Sequence, residues 1–275
     1  MIAWLNIPDT LRKDQVMDSD YLTDEEYRAY WFNLEGMRAG ICESLGLKDS
    51  MKILDVGTGY GLFAIEMAKQ LRNGMIVGVD IVDDGLSNAR KLVEKAEVAD
   101  RVSIVRADAV KLSFLDAYFD LATGFLAMRD IYMTRGRRGV KKTIEEMIRV
   151  LKPNGRIVLC ITPPEDMETE DQKIAVRLEG EIFGARSLPK RFYADIFRQK
   201  NVALNQTRAF FTRKKLTANQ TKIEFKDGIK IARTIYGKKV PSFQTVWQKY
   251  RKKIETYGYG MYSKIVLLEG QKLGS

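Results

Sequence analysis

The stretch Ile53-Leu54-Asp55-Val56-Gly57-Thr58-Gly59-Tyr60-Gly61, ILDVGTGYG, decides the fold. An apolar run broken by one carboxylate meets three glycines at alternate positions. Glycine at a strand-to-helix junction permits a tight turn and lets a ligand approach the main chain closely. The dinucleotide fingerprint G-x-G-x-x-G would put its third glycine where Leu62 stands, so the spacing here is G-x-G-x-G. Downstream, MIVGVDI reads as a second short apolar strand that reaches Asp80, 19 residues after Gly61. That is close to the interval at which a carboxylate grips ribose hydroxyls. A third strand, RVSIVRAD, also ends in an acid, Asp108. Ligands of parallel α/β sheets lie beyond the carboxyl ends of the strands. Asp55, Asp80 and Asp108 therefore suit a ligand with a cationic head, a ribose and an adenine.

Outward from this stretch the chain alternates strand, glycine turn and helix. LFAIEMAKQLRNG is predicted helical and closed by Gly74, and DDGLSNARKLVEKAEVA forms a helix with acids in its first turn. FDLATGFLAM is a fourth strand, and a helix through TIEEMIRVL leads by KPNG into a fifth, RIVLCIT. Continuous apolar strands between amphipathic helices argue for a parallel sheet covered on both faces. Residues 1–50 carry no strand pattern and read as helical, with a capping box at Thr23 and Glu26 and aromatics at Tyr27, Tyr30 and Trp31. Those aromatics read as a hydrophobic helix face or as a lid. Past Pro163-Pro164 the pattern weakens: SLPKRFYADIFRQK looks helical, NVALNQTRAFFT admits a strand, and 217–257 reads as mostly helical. YSKIVLLEG is a last strand. The expected organisation is a helical cap over 1–50 and an α/β domain over 51–275, with a basic helical insertion at about 213–257.

Composition prunes the chemistry. At 275 residues, 45% hydrophobic and 30% charged, the chain has the makeup of a globular protein with ample core. No run approaches the roughly 18 apolar residues of a membrane span, and the N-terminal residues lack the order of a signal peptide. Cys42 and Cys160 are far apart and in no metal-like spacing, so the cytoplasm is the expected location. Histidine is absent, which removes His general bases, His-activated nucleophiles and most zinc sites.

In this order, ILDVGTGYG, VGVDI, RADAVKLSF, FDLATGF and VLKPNGRIVL resemble the class I S-adenosylmethionine-dependent methyltransferases over about 51–162. YSKIVLLEG is similar to the reversed seventh strand of that family. The resemblance implies a Rossmann-like, seven-stranded, mostly parallel sheet with helices on both faces, and S-adenosyl-L-methionine as cofactor. It implies that Gly57, Thr58, Gly59 and Gly61 line the methionine part and that Asp55 helps hold its amino group, directly or through water. Asp80 would take the ribose hydroxyls, Ile81 flank the adenine, and Asp108 with Ala109 read the adenine amine. Thr123 and Gly124 would border the methyl and the acceptor. NAD is the competing cofactor, but a pyrophosphate prefers a helix N-terminus without a nearby carboxylate such as Asp55. No Tyr-x-x-x-Lys pair occurs in the chain either. Arg129 and Asp130 stand where the family places acceptor-facing groups, and equally where a surface pair would start a helix. The fourth strand leads into Thr123-Gly124-Phe125-Leu126, not the Asp/Asn-Pro-Pro-Tyr run of amide and nucleobase enzymes. The chain is more similar to the quinone and small-molecule methyltransferases.

Charge is uneven. From 184 to 253, nineteen Lys and Arg face only Asp195, Glu224 and Asp227, a net +16 in a chain whose total is +10. Phe192, Tyr193, Phe197, Phe210, Phe211, Tyr236, Trp247 and Tyr250 are interleaved with the cations. Such a region suits an anionic acceptor, a lipid surface, an acidic protein or RNA, with aromatics stacking on unpaired bases. Its plainer reading is a solvated helical face whose aromatics are core. The expected function is methyl transfer to a small or lipid-like, anionic acceptor, with Lys214 and Lys215 serving that acceptor. The alternatives are an RNA or protein methyltransferase docking through the basic region, and a cofactor-binding protein without catalysis.

Overall fold

The computed structural model describes residues 21–274 apart from 29, 213 and 235. Its centre is a seven-stranded sheet in the order β3-β2-β1-β4-β5-β7-β6. The strands are β1 (Lys52–Val56), β2 (Met75–Asp80), β3 (Val102–Arg106), β4 (Phe119–Phe125), β5 (Leu151–Ile161), β6 (Val202–Phe211) and β7 (Lys264–Lys272). The first five run parallel, and β7 is antiparallel to both β5 and β6. The Rossmann-like sheet with its reversed last strand is therefore as expected. The chain leaves β1 toward β2 and β3 on one side, then crosses to β4 on the other. The crevice at such a reversal is where open α/β sheets bind ligands.

Nine α-helices accompany the sheet among the described residues: α1 (Asp24–Arg28), α2 (Tyr30–Ser44), α3 (Leu62–Ala68), α4 (Asp83–Lys95), α5 (Ala127–Val150), α6 (Glu170–Ile182), α7 (Lys190–Gln199), α8 (Ala218–Thr234) and α9 (Phe243–Tyr257). Among the described residues, none is long and apolar enough to cross a membrane. Alternate strand residues feed two cores. Ile53, Leu121, Val158 and Leu267 join residues of α2, α3, α8 and α9, while Leu54, Ala122, Leu159 and Leu268 join α5 and α7. Burial on both faces, worth about 1.5–3 kcal/mol per large aliphatic side chain, is why these strands read as unbroken apolar runs.

Three expectations are corrected. The helix after the glycine turn stops at Ala68, and the chain reaches Gly74 through tight turns closed by Gln70 N–Met67 O and Leu71 N–Ala68 O. The helix before β5 begins at Ala127, far ahead of TIEEMIRVL, and kinks at Gly136 (φ 64°). KPNG lies within β5, with Asn154 left-handed (φ 64°), and does not precede the strand. Helix α6 was not read from the sequence. Its signals were a Thr169–Gln172 capping box and buried Ile174, Ala175, Leu178 and Ile182 at helical spacing.

The basic insertion is helical as expected, in two segments. Its aromatics are mortar between elements: Trp247 meets Phe225 at 6.4 Å and Phe243 at 6.0 Å, and Phe225 meets Tyr259 at 5.3 Å. Phe192, Tyr193, Phe197, Phe210 and Tyr250 are buried. The plainer reading of the interleaved aromatics holds for these, which removes them as a base-stacking platform. The N-terminal helices lean on the same insertion. The Tyr27 hydroxyl donates to Glu224 at 2.8 Å, and Lys214 pairs with Glu26 at 3.1 Å. The side chains of Tyr30 and Trp31, expected as a helix face or a lid, lie outside the described residues.

Candidate functional site

The glycine turn caps the carboxyl end of β1. The amides of Gly57 and Thr58 both donate to Val79 O, at 2.8 and 3.0 Å, which ties the turn to β2. Gly57 (φ 70°) adopts a left-handed backbone, and a Cβ there would sit 2.4 Å from Ala127 Cβ. Only glycine combines that conformation with that approach. Gly59 (φ 52°) has nothing within 4 Å of the Cβ position, so its face of the turn is open. Gly61 (φ 74°) caps α3. One supporting glycine was missed. A Cβ on Gly78 in β2 would lie 2.7 Å from Thr58 Oγ1, so the bare strand makes room for Thr58. An isolated glycine inside a strand is the signal that could have found it.

Asp55 lies behind the turn, only 1% exposed. Its Oδ2 accepts from Thr58 Oγ1 at 2.8 Å and its Oδ1 from Thr123 Oγ1 at 2.9 Å. Burial pushes the carboxyl up to about 6, against the pull of the two hydroxyls. The field of Arg38, buried on α2, favours its charged form. Arg38 lies over the Phe125 ring at 5.1 Å and carried no sequence signal. Thr123 is buried behind Asp55, so the expectation that it borders the acceptor is corrected: side chains alternate along β4, and its hydroxyl faces β1. Gly124 does line the strand end, with Met128 Cε 3.1 Å from its would-be Cβ.

At the end of β2, Asp80 binds back to the turn. Its Oδ2 accepts from the Gly59 amide at 3.0 Å, and its Oδ1 from Ile81 and Val82 at 2.7 and 3.1 Å. Ile81 is 41% exposed beside it. The Ala107 amide donates to Asp80 O at 2.9 Å, which brings Asp108 and Ala109 to the same edge. Asp108 Oδ1 accepts from Val110 at 3.1 Å, and Oδ2 from Arg135 of α5 at 2.7 Å. That pair is half exposed, and such pairs are worth at most about 1 kcal/mol.

On the other side of β4, Arg129 in the first turn of α5 has only 12% of its side chain exposed. Its guanidinium contacts the buried Glu179 carboxylate of α6 and the Tyr262 hydroxyl, and lies over the Tyr262 ring at 4.4 Å. Its Nε has no hydrogen-bond partner among the described residues, with Asp130 Oδ1 4.0 Å away. Arg129, Met128, Thr162, Ser187 and Tyr193 line a chamber of about 10 Å³. Arg129 is thus no surface pair, whereas Asp130 is largely exposed. Glu179 and Tyr262 were missed, because nothing local in the sequence joins them to Arg129.

Tyr236, between α8 and α9, was read only as part of the basic region. Burial pushes its phenol up to about 12, and the charges of Asp130 and Asp80 act in the same direction.

The profile of a methyltransferase domain matches residues 47–234. The chain belongs to that family. S-adenosylmethionine is the cofactor that goes with this domain, and the open backbone face at Gly59 beside Asp80 fits it. The demethylmenaquinone methyltransferase of Bacteroides fragilis is 33% identical over 115 residues, 42% of this chain and 44% of that protein. The ubiquinone/menaquinone biosynthesis C-methyltransferase UbiE of Proteus mirabilis is 30% identical over 118 residues, 42% of this chain and 45% of that protein. The chain thus spans less than half the length of these relatives. In fold, a crystal structure from Bacillus halodurans superposes with a TM-score of 0.62 at 20% identity, covering 87% of this chain and all of its own. The cyclase SpnF superposes at 0.61 and 18% identity, covering 88% of this chain and 81% of its own, so the fold hosts more than one activity.

Proposed function

We propose that this methyltransferase-family chain moves a methyl group from S-adenosylmethionine to a small, lipid-like acceptor of the quinone type, one that carries or develops negative charge at the reacting atom. The observation that carries this reading is Arg129: a nearly buried guanidinium beside the ends of β4 and β5, its Nε without a hydrogen-bond partner among the described residues. A desolvated cation stabilises a developing oxyanion far more than an exposed one does. The relatives named for quinone biosynthesis support an acceptor of that kind.

The bound cofactor supplies a methyl already activated on a sulfonium, so the protein mainly aligns and excludes water. In this reading Gly57, Thr58, Gly59 and Gly61 line the methionine part. Asp55 acts on the amino head through the Thr58 hydroxyl or a water, since both its oxygens are held by threonines. Asp80 already accepts three amide N–H bonds. With about four lone-pair sites, it has room for one ribose hydroxyl. Ile81, Ala109 and Asp108 border the adenine, with Asp108 exchanging Arg135 for the adenine amine. The absence of histidine leaves any proton to Tyr, Glu, Asp, Lys or the acceptor itself.

The test is incubation with methyl-labelled S-adenosylmethionine and demethylmenaquinol, followed by mass spectrometry of the extracted quinone. A labelled methyl on the ring is expected, and Arg129→Gln should lower turnover at least tenfold with cofactor affinity retained. Tight cofactor binding with no label in any quinone-type acceptor overturns the reading.

A further inference from the structure

Helix α6 has a second face that the core does not use. Lys173, Val176, Arg177 and Gly180 follow i, i+3, i+4, i+7 spacing and line one wall of a cleft of about 670 Å³. Pro164 and Met167 after β5, and Arg186 and Ser187 in the loop behind α6, complete it. Its size lies within the few-hundred-to-thousand Å³ range of small-molecule sites.

The charges in the cleft do not cancel. Lys173 pairs with Glu170 at 3.2 Å, and Glu181 is held by Lys249 of α9 at 2.6 Å, which keeps its carboxyl below the usual range. Arg177 and Arg186 are exposed and have no salt bridge among the described residues. The Arg186 stem lies against bare Gly180, with Cγ 3.5 Å from that residue's would-be Cβ. Arg177 acts on Glu181 only through its field, so two guanidinia without a salt bridge among the described residues suit capture of an oxyanion.

The cleft also leads somewhere. Ser187 lines both it and the chamber of Arg129, and its hydroxyl is 2.8 Å from that of Thr162 on the chamber side. We propose that Arg177 and Arg186 form an anion subsite that holds a phosphate- or carboxylate-bearing group, with the rest of that molecule directed past Ser187 toward Arg129. Assigning the molecule as the methyl acceptor rests on the methyl-transfer reading; the anion subsite itself does not.

The test uses the full chain and inorganic pyrophosphate at low ionic strength, by titration calorimetry. The wild type should bind, and Arg177→Gln/Arg186→Gln should bind at least tenfold more weakly, with unchanged S-adenosylmethionine affinity reporting an intact fold. Lys252→Gln/Lys253→Gln, which removes equal charge outside the cleft, should bind pyrophosphate as the wild type does. No binding by the wild type, or equal weakening in both double variants, overturns the subsite. Vesicles containing phosphatidic acid separate the sources of the anion. Arginine-dependent pelleting that pyrophosphate reverses identifies a lipid headgroup, and pyrophosphate binding without pelleting identifies a soluble anion. Because cofactor affinity is read separately, loss of the subsite leaves the methyltransferase reading standing.

Discussion

Asp55 holds its proton far more tightly in the fold than in the unfolded chain, with its carboxyl raised from 3.8 to about 6. The protonated form is thus the one the fold favours. Its contribution to stability is fully present below about pH 4 and is lost as pH rises through 6. At neutral pH the ionised group leaves a cost of about 3 kcal/mol relative to a carboxyl with an unshifted pKa. Asp55→Asn keeps the shape and removes the titration. Denaturant unfolding should find the variant about 1–3 kcal/mol more stable than the wild type at pH 7.5, with the gap closing by pH 4.5. Calorimetry should find S-adenosylmethionine bound at least tenfold more weakly, because the negative charge behind the turn is gone. A variant equally destabilised at both pH values would show that the two threonine bonds, not the charge, are what Asp55 provides. The carboxylate in the apolar run was legible in the sequence. Its partners Thr58 and Thr123 were legible as site residues, but their hydroxyl bonds to it were not, because one arrives from a neighbouring strand.

At the scale of elements, the cap and the insertion meet through backbone bonds, side-chain hydrogen bonds from Tyr27 and Gln220, and an ion pair. The Leu22 amide donates to Lys215 O at 2.9 Å, Lys215 lies over the Tyr21 ring at 4.9 Å, and Lys214 pairs with Glu26. Lys214 and Lys215, expected to serve the acceptor, lie at the seam between the N-terminal segment and the insertion. Lys214→Glu should destabilise the protein by about 0.5–1 kcal/mol, and Glu26→Lys in the same chain should restore most of it. A double-mutant cycle by thermal unfolding measures this, and absence of coupling would remove that contribution. Elements with strong local signals were legible: β1, β2, β4, β5 and β7 bury continuous apolar runs, and α4 buries helically spaced Leu86, Ala89 and Val93. Helix α6 and the first half of α5 were not, because Glu179 and Arg129 are buried in contact with each other, and a buried charge breaks the pattern that the eye follows.

For the whole molecule, the basic insertion is the part whose role the fold changed most. Its aromatics fill the space between helices, and burial together with the charges of Asp130 and Asp80 raises the Tyr236 phenol in its connecting loop. Tyr236→Ala should weaken S-adenosylmethionine binding about tenfold, equivalent to about 1.4 kcal/mol, while Tyr236→Phe should retain it, since cover rather than a proton is lost. Calorimetric affinities identical in the wild type and the alanine variant would place the loop outside the site.

The amino-acid sequence alone determined the strand–turn–helix rhythm, the glycine turn and the acids at the ends of β2 and β3. Those features are local: a turn needs its glycines, and a strand needs its apolar run, wherever the rest of the chain goes. Only the tertiary structure decided that Asp55 faces two threonines, that Arg129 meets Glu179 and Tyr262, and that α6 and the loop behind it each turn an arginine into one cleft. The Asp55–Thr123, Arg129–Glu179 and Arg129–Tyr262 contacts join residues far apart in the chain, and burial of their polar atoms is specified by packing, not by spacing.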